Sequence, residues 1–214
     1  MIIAIDGPAG AGKSTVARLL ADKLGFAYLD TGALYRASAL KAKRMNLSFE
    51  ESPEIRTMMS EIDIRFEGDR VYLDGEDVSE EIRTPQVSHL ASVISAIPSV
   101  RELLLPLQRR VGHAQNTVAD GRDMGTVVFP DAENKIFLDA SLKERARRRF
   151  LELLQKGEKN SSEKEVAQEI KIRDERDSSR VAAPLRRAVD AVYINTDKLN
   201  IDKVLEKMLE YIVL

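Results

Sequence analysis

Three stretches of this chain bring together residue types suited to holding and moving phosphate. The first is Gly7-Pro8-Ala9-Gly10-Ala11-Gly12-Lys13-Ser14-Thr15. Its glycines let backbone N–H groups turn inward around an anion without Cβ clashes. Lys13 adds a full positive charge suited to β- and γ-phosphates, and the Ser14 hydroxyl suits Mg²⁺. The spacing matches G-x-x-x-x-G-K-[ST], the P-loop, so Gly7 to Thr15 are expected to bind a nucleoside triphosphate. A plain turn would have no packing reason to follow Gly12 with Lys and Ser. The second stretch, Asp120-Gly121-Arg122-Asp123-Met124-Gly125-Thr126, sets acid, base and acid among glycines. The third, Arg173, Arg176, Asp177 and Arg180, recurs at three-to-four spacing and shares one helix face. Arginines gathered on one face repel one another unless an anion sits among them.

The elements that must position these residues follow from the pattern around them. Ile2 to Asp6 is an apolar run of one buried strand, and Val16 to Leu24 is an amphipathic helix closed by Gly25. Phe26 to Asp30 reads as a second strand, stopping at Asp30-Thr31-Gly32 before a helix from Ala33 to Arg44. Strand ends of this kind in an open α/β sheet point into the ligand crevice. Ser52-Pro53 starts a helix, and alternating runs between Ile62 and Val78, with Asp-Gly turns, predict a small antiparallel sheet. Thr84-Pro85 starts a helix through Ile97. Ser99 to Glu102 is a capping box opening another, with a kink expected at Pro106. Thr117 to Asp120, Lys135 to Asp139 and Val192 to Asn195 are the remaining core strands. Ser141 and Glu144 form a second capping box, opening a helix whose Arg145, Arg147, Arg148 and Arg149 read as a solvated face. Gly157 to Glu165 reads as a hinge or loop tip, Ser162 and Glu165 cap the arginine helix, and Ile201 to Val213 closes the chain. His89 and His113 stand alone, without metal-ligand spacing.

Together these predict the α/β class, a parallel sheet of about five strands with alternating helices. The 214 residues suit one sizeable domain with small inserts, and 43% hydrophobic content supports a core. With 33 basic and 35 acidic residues the charges nearly cancel, so nucleic acid is not an expected partner. The absence of cysteine excludes disulfides and thiolate chemistry and fits a reducing compartment. No apolar run approaches membrane length and the N-terminus lacks a signal pattern, so a cytoplasmic protein without a membrane partner is expected.

Arginines on several elements (Arg36, Arg101, Arg122, Arg148, Arg173, Arg176 and Arg180) are enough to hold two anionic partners. An acceptor phosphate is already an anionic nucleophile at neutral pH, so it needs positioning and charge neutralisation rather than a general base. Closing segments then matter, because open water would otherwise take the phosphoryl group. A guanine-nucleotide switch would want an N-K-x-D run, and Asn134-Lys135-Ile136-Phe137 lacks the Asp.

Gly7 to Ser14, Asp30-Thr-Gly-Ala-Leu-Tyr-Arg36, Glu76 to Thr84, Asp120-Gly-Arg-Asp-Met-Gly-Thr126, Lys135 to Ser141 and Arg173-Asp-Glu-Arg-Asp-Ser-Ser-Arg180 together resemble the bacterial cytidylate kinases over essentially the whole chain. The resemblance implies a nucleoside monophosphate kinase fold with core 1–35, 105–152 and 180–214, a monophosphate-binding insert at 36–104 and a mobile lid at 153–179. It implies MgATP with CMP or dCMP giving ADP with CDP or dCDP, by a monomer. Thr31 (a Ser in many relatives, its hydroxyl kept), Arg101, Asp123 and Arg180 correspond to the cytosine-reading set. Ser92, Arg173 and Asp177 correspond to the ribose set, and Arg36 and Arg122 to the acceptor-phosphate set. Lys13, Arg122, Arg173 and Arg176 would neutralise charge on the moving phosphoryl group, and Ser14 would hold Mg²⁺. Another small P-loop kinase, acting on AMP, UMP or a shikimate-type acceptor, is the alternative.

Overall fold

The computed structural model of the protein describes residues 1–155, 157 and 162–213. In chain order it begins β1 (Ile2–Asp6), α1 (Lys13–Leu24), β2 (Ala27–Asp30), α2 (Thr31–Arg44) and α3 (Pro53–Glu61). Then come β3 (Ile64–Glu67), β4 (Arg70–Leu73), β5 (Glu76–Asp77), α4 (Pro85–Ile94) and α5 (Pro98–His113). The chain ends with β6 (Thr117–Asp120), β7 (Asn134–Asp139), α6 (Leu142–Gln155), α7 (Glu163–Ser179), β8 (Val192–Asn195) and α8 (Ile201–Tyr211). These elements form two compact units, Met1–Leu29 with Val111–Leu214, and Asp30–Arg110.

The first unit is built on a five-stranded sheet in the order β2-β6-β1-β7-β8. β1 pairs in parallel with β6 and with β7, and β7 with β8, as the α/β pattern predicts. All five residues of β1 are buried, which is why the strand reads as an unbroken apolar run rather than an alternation. Ile3 and Ile5 are fully buried and pack with Val16 and Leu20 of α1 and Met208 of α8. Burying each such side chain contributes about 1.5–3 kcal/mol. Because β1 lies inside the sheet, its exit and that of β6 emerge side by side at one sheet end, the P-loop from one and Gly121-Arg122-Asp123 from the other.

The second unit has its own core, in which Leu34 and Leu40 of α2, Ile55 and Met58 of α3, and Ile94 of α4 are buried. Its antiparallel sheet, order β3-β4-β5, pairs Ile64 with Leu73 and Leu73 with Glu76. Asp74 and Gly75 both have positive φ (51° and 88°), the conformation a two-residue type I′ hairpin needs. This unit takes in more chain at both ends than the insert expected at 36–104. Of the expected hinge and lid, residues 156 and 158–161 lie outside the described residues.

Several helix ends differ from expectation. α2 begins at Thr31 because Asp30 accepts a hydrogen bond from the Ala33 amide at 3.1 Å. The helix expected through Ile97 stops at Ile94, and the next opens at Pro98. Proline suits the first helical position, where its missing N–H costs nothing. Ser99 therefore falls inside the first turn instead of capping it, and its amide donates to the Glu51 carboxylate at 3.0 Å. Ser141 does cap, accepting from the Glu144 amide at 3.3 Å, but the Glu144 carboxylate turns to Arg147 and Arg148. The capping box there is half formed, whereas that of Ser162 and Glu165 is complete. Among the described residues, no single helix is long and apolar enough to cross a membrane.

Candidate active site

The P-loop takes its shape from two glycines. A Cβ on Gly7 (φ 149°) would sit 1.9 Å from the Leu138 carbonyl oxygen of β7, and Gly12 (φ 87°) opens α1 in the left-handed region. The loop carries Lys13 into a buried position, 5% exposed, where Nζ donates to the Pro8 carbonyl at 2.7 Å. Burial, followed by the charges of Arg122 and Arg173, pushes the Lys13 ammonium well below its usual 10.5, with Asp120 and Asp6 pulling the other way. Cations drawn together in a poorly solvated place make an anion's seat, and the start of α1 presents its N–H groups to the same seat.

At the exit of β6, Asp120 accepts from the Ser14 hydroxyl at 2.7 Å and from the Tyr28 hydroxyl at 2.8 Å. A hydroxyl beside one carboxylate suits Mg²⁺, which keeps waters and phosphate oxygens rather than an all-protein cage. No cluster of three or more His, Cys, Asp or Glu poised for a metal occurs among the described residues. Four and five residues further along, the loop is tied to β1. Asp6 accepts from the Met124 and Gly125 amides, each at 2.8 Å. Burial still pushes the Asp6 carboxyl up to about 6, against the pull of those two amides. This tie fixes the peptide chain on which Arg122 and Asp123 stand.

Arg122 Nε donates to Asp177 of α7 at 2.9 Å. Arg180, 8% exposed, reaches Asp177 at 3.4 Å and Asp123 at 3.5 Å and anchors its Nε on the Ala183 carbonyl at 2.6 Å. Burial alone would raise Asp177, but Arg122, Arg173 and Arg180 outweigh it and hold its carboxyl below the usual range. Thus Lys13, Arg122, Asp123, Arg173, Asp177 and Arg180, predicted from three separate stretches, form one network of charges. Arg176 lies three residues beyond Arg173, half-buried on α7, and Thr15 is exposed at the start of α1.

The second unit holds the remaining predicted residues on its helices. Thr31 (2% exposed) is the first residue of α2, and Ser92 (4%) lies on α4. Arg36 pairs with Asp30 at 2.6 Å, while its buried Nε has no hydrogen-bond partner. A guanidinium N–H left in that state lacks the partner that buried donors ordinarily have. Arg101, 8% exposed on α5, donates to the Ser95 carbonyl at 3.2 Å and lies 5.3 Å above the Tyr35 ring. His89 and His113 are exposed helix residues, as expected.

Three residues with direct roles in this geometry were not singled out as site residues from the sequence: Asp6, Arg145 and Asp174. Arg145 corrects an expectation outright. It does not share the solvated face of Arg147 but is buried, with its guanidinium on the Ala140 and Ala9 carbonyls and on Asp174. The sequence offers a signal for Asp6 and Asp120, each a carboxylate ending an apolar strand just before a glycine. It offers none for Arg145, which looks like its neighbours.

A family model described as cytidylate kinase matches residues 3–214. A cytidylate kinase from Caldanaerobacter subterraneus subsp. tengcongensis is 54% identical over 98% of this chain and 93% of its own length. One from Carboxydothermus hydrogenoformans is also 54% identical, over 99% and 97%. Among solved structures, an uncharacterized protein from Eubacterium ventriosum shares the fold, with TM-score 0.53 and 15% identity over 99% of this chain and 97% of that one.

Proposed function

The chain belongs to the cytidylate kinase family, nucleoside monophosphate kinases, and on that premise we propose that it moves the terminal phosphoryl group of ATP onto CMP and dCMP, giving ADP with CDP or dCDP. The observation that carries this reading is the crowding of Arg122 and Arg173 on buried Lys13, which asks for a polyanion. Gly7 to Thr15 hold the ATP phosphates, with backbone N–H groups and Lys13 as ligands. Ser14 and Asp120 hold Mg²⁺, which supplies charge neutralisation across the phosphates when bound. Lys13, Arg122, Arg173 and Arg176 stabilise the charge that spreads over the moving phosphoryl group.

Asp123 and Arg180 read the cytosine edge. A carboxylate accepts from the exocyclic amino group, and a guanidinium donates to the ring acceptors; uracil, with a carbonyl in place of that amino group, faces the carboxylate with lone pairs. Thr31 and Arg101 belong to the same recognition set. Ser92, Arg173 and Asp177 bind around the ribose, and Arg36 and Arg122 bind the acceptor phosphate, consistent with the orphaned Nε of Arg36. No general base is called for, because the acceptor phosphate is already ionised. Residues 36–104 serve as the monophosphate-binding insert and 153–179 as a lid that excludes water from the transfer. The enzyme works as a cytoplasmic monomer without nucleic acid, in keeping with its nearly balanced charge.

Another small P-loop kinase, acting on AMP, UMP or shikimate, is disfavoured by relatives 54% identical over nearly the whole chain. Steady-state ADP release from MgATP with CMP, dCMP, UMP and AMP tests the reading. Turnover with CMP and dCMP well above the others is expected; turnover with AMP or UMP and none with CMP would sink it.

A further inference from the structure

The phosphate loop is held from outside by a pair of side chains that none of the roles above employs. Asp174 on α7 accepts from the Ala9 amide through Oδ1 at 3.1 Å. Arg145 on α6 donates to the Ala9 carbonyl at 2.9 Å, to the Ala140 carbonyl at the end of β7 at 2.8 Å, and to the other oxygen of Asp174. The residue is thus gripped on both of its polar backbone groups, and the two gripping groups grip each other. The Ala9 methyl is sealed on the same side, packed with Ala146, Leu153, Val166 and Ile170. The loop runs close against α6 at Gly10, where a Cβ would lie 3.1 Å from the Arg145 Cβ.

We propose that Asp174 and Arg145 are positioning residues for phosphoryl transfer, a clamp that presets the P-loop for the triphosphate and fixes the reach of Arg173. The second half follows from adjacency. Asp174 is the residue after Arg173, so the turn of α7 that supplies charge near Lys13 is the turn bonded to the loop. A nest of N–H groups binds phosphate well only if its peptides already point inward, because turning them costs part of the binding free energy. Arg145 is suited to this work because its planar fork directs N–H groups to three acceptors in fixed, separated directions, whereas a lysine offers its three N–H groups from a single nitrogen. It also offsets the negative charge that Asp174 brings close to an anion site. The inference rests on the P-loop binding ATP as described above.

The test uses the full-length enzyme and the variants Asp174→Ala, Asp174→Asn and Arg145→Lys, with ATP affinity measured without CMP and steady-state kinetics with both substrates. Asp174→Ala is expected to weaken ATP about tenfold and to lower kcat about tenfold, the loss of one charge-assisted hydrogen bond and of Arg173's placement. Asp174→Asn keeps an acceptor for the Ala9 amide but not the charge for Arg145, and falls between wild type and Asp174→Ala. Arg145→Lys reproduces the ATP defect while remaining folded, as judged by its melting curve. Variants that lower only the melting temperature, with ATP affinity and kcat of the wild type, overturn the clamp. So does tighter ATP binding by Asp174→Ala, which would make the contact a latch the nucleotide must displace. Failure of the wild type to release ADP with CMP sinks the functional reading instead, and leaves the ATP-affinity arm to decide on the clamp.

Discussion

The unit formed by Met1–Leu29 and Val111–Leu214 ties its site residues together by hydrogen bonds across long spans of chain, whereas the hydrogen bonds of Arg36 and Arg101 in the unit Asp30–Arg110 reach six residues back, with Arg101 also lying over the Tyr35 ring. In the first, Asp6 holds amides 118 and 119 residues away, Ser14 holds Asp120 from 106 residues away, and Arg122 holds Asp177 from 55. In the second, Arg36 pairs with Asp30 six residues back and Arg101 donates to Ser95 six residues back. The first arrangement links charges into a network, so a change at one residue is felt by several. In the second, Arg36 is bonded to a near neighbour, so a change there should register mainly in the binding of one substrate.

Removing the centre of the network separates catalysis from stability. Lys13→Met is expected to lower kcat about 10³-fold, by loss of charge on the moving phosphoryl group. Its melting temperature should match or exceed that of wild type, because a crowded, buried ammonium has been removed. A marked fall in melting temperature would show that Lys13 is a structural partner of the loop rather than a charge held in wait for an anion.

The Asp6 tie should show itself in pH dependence. Its carboxyl is raised from 3.8 to about 6 in the folded protein, so the folded state keeps a proton that the unfolded chain has already released. Stability from this group is therefore full below about 4 and is lost as pH rises through about 6, by roughly 2–3 kcal/mol in all. Asp6→Asn lacks this loss. Urea unfolding at pH 4 and pH 7 should show the difference between variant and wild type moving by that amount in favour of the variant at the higher pH. A difference that stays flat, or moves the other way, contradicts the account of Asp6.

The smallest expected effect lies in the second unit. Arg36→Ala should raise KM for CMP about tenfold, the scale of one charge-assisted hydrogen bond. KM for ATP should stay within about twofold, because Arg36 is assigned to the acceptor phosphate and not to ATP. Equal rises in both constants would erase the contrast drawn between the units.

What could be read without coordinates follows the same division between local and distant contacts. The P-loop, the exit of β6 and the arginine row of α7 each carry their signal in spacing over a few residues, and the structure joins them into one network. The hairpin at Asp74-Gly75 and the cap at Ser162 are local as well, and both form. Arg145 was misread because Arg145, Arg147, Arg148 and Arg149 differ only in which way the helix turns them, and the partners that decide it are Ala9, Ala140 and Asp174. Ser141 lost half its capping box to a distant competitor, since Asp197 accepts from its amide at 2.7 Å. Ser99 lost its box to a nearer one, the proline before it.

The central claim is that a charge network at the exits of β1 and β6 selects cytosine through Asp123 and Arg180. The ratio of kcat/KM for CMP to that for UMP, measured in wild type and in Asp123→Ala, tests it most directly. Wild type should strongly favour CMP, and Asp123→Ala should lose most of that preference together with much of its rate. A wild-type enzyme that favours UMP, or an Asp123→Ala enzyme whose preference is unchanged, would contradict it.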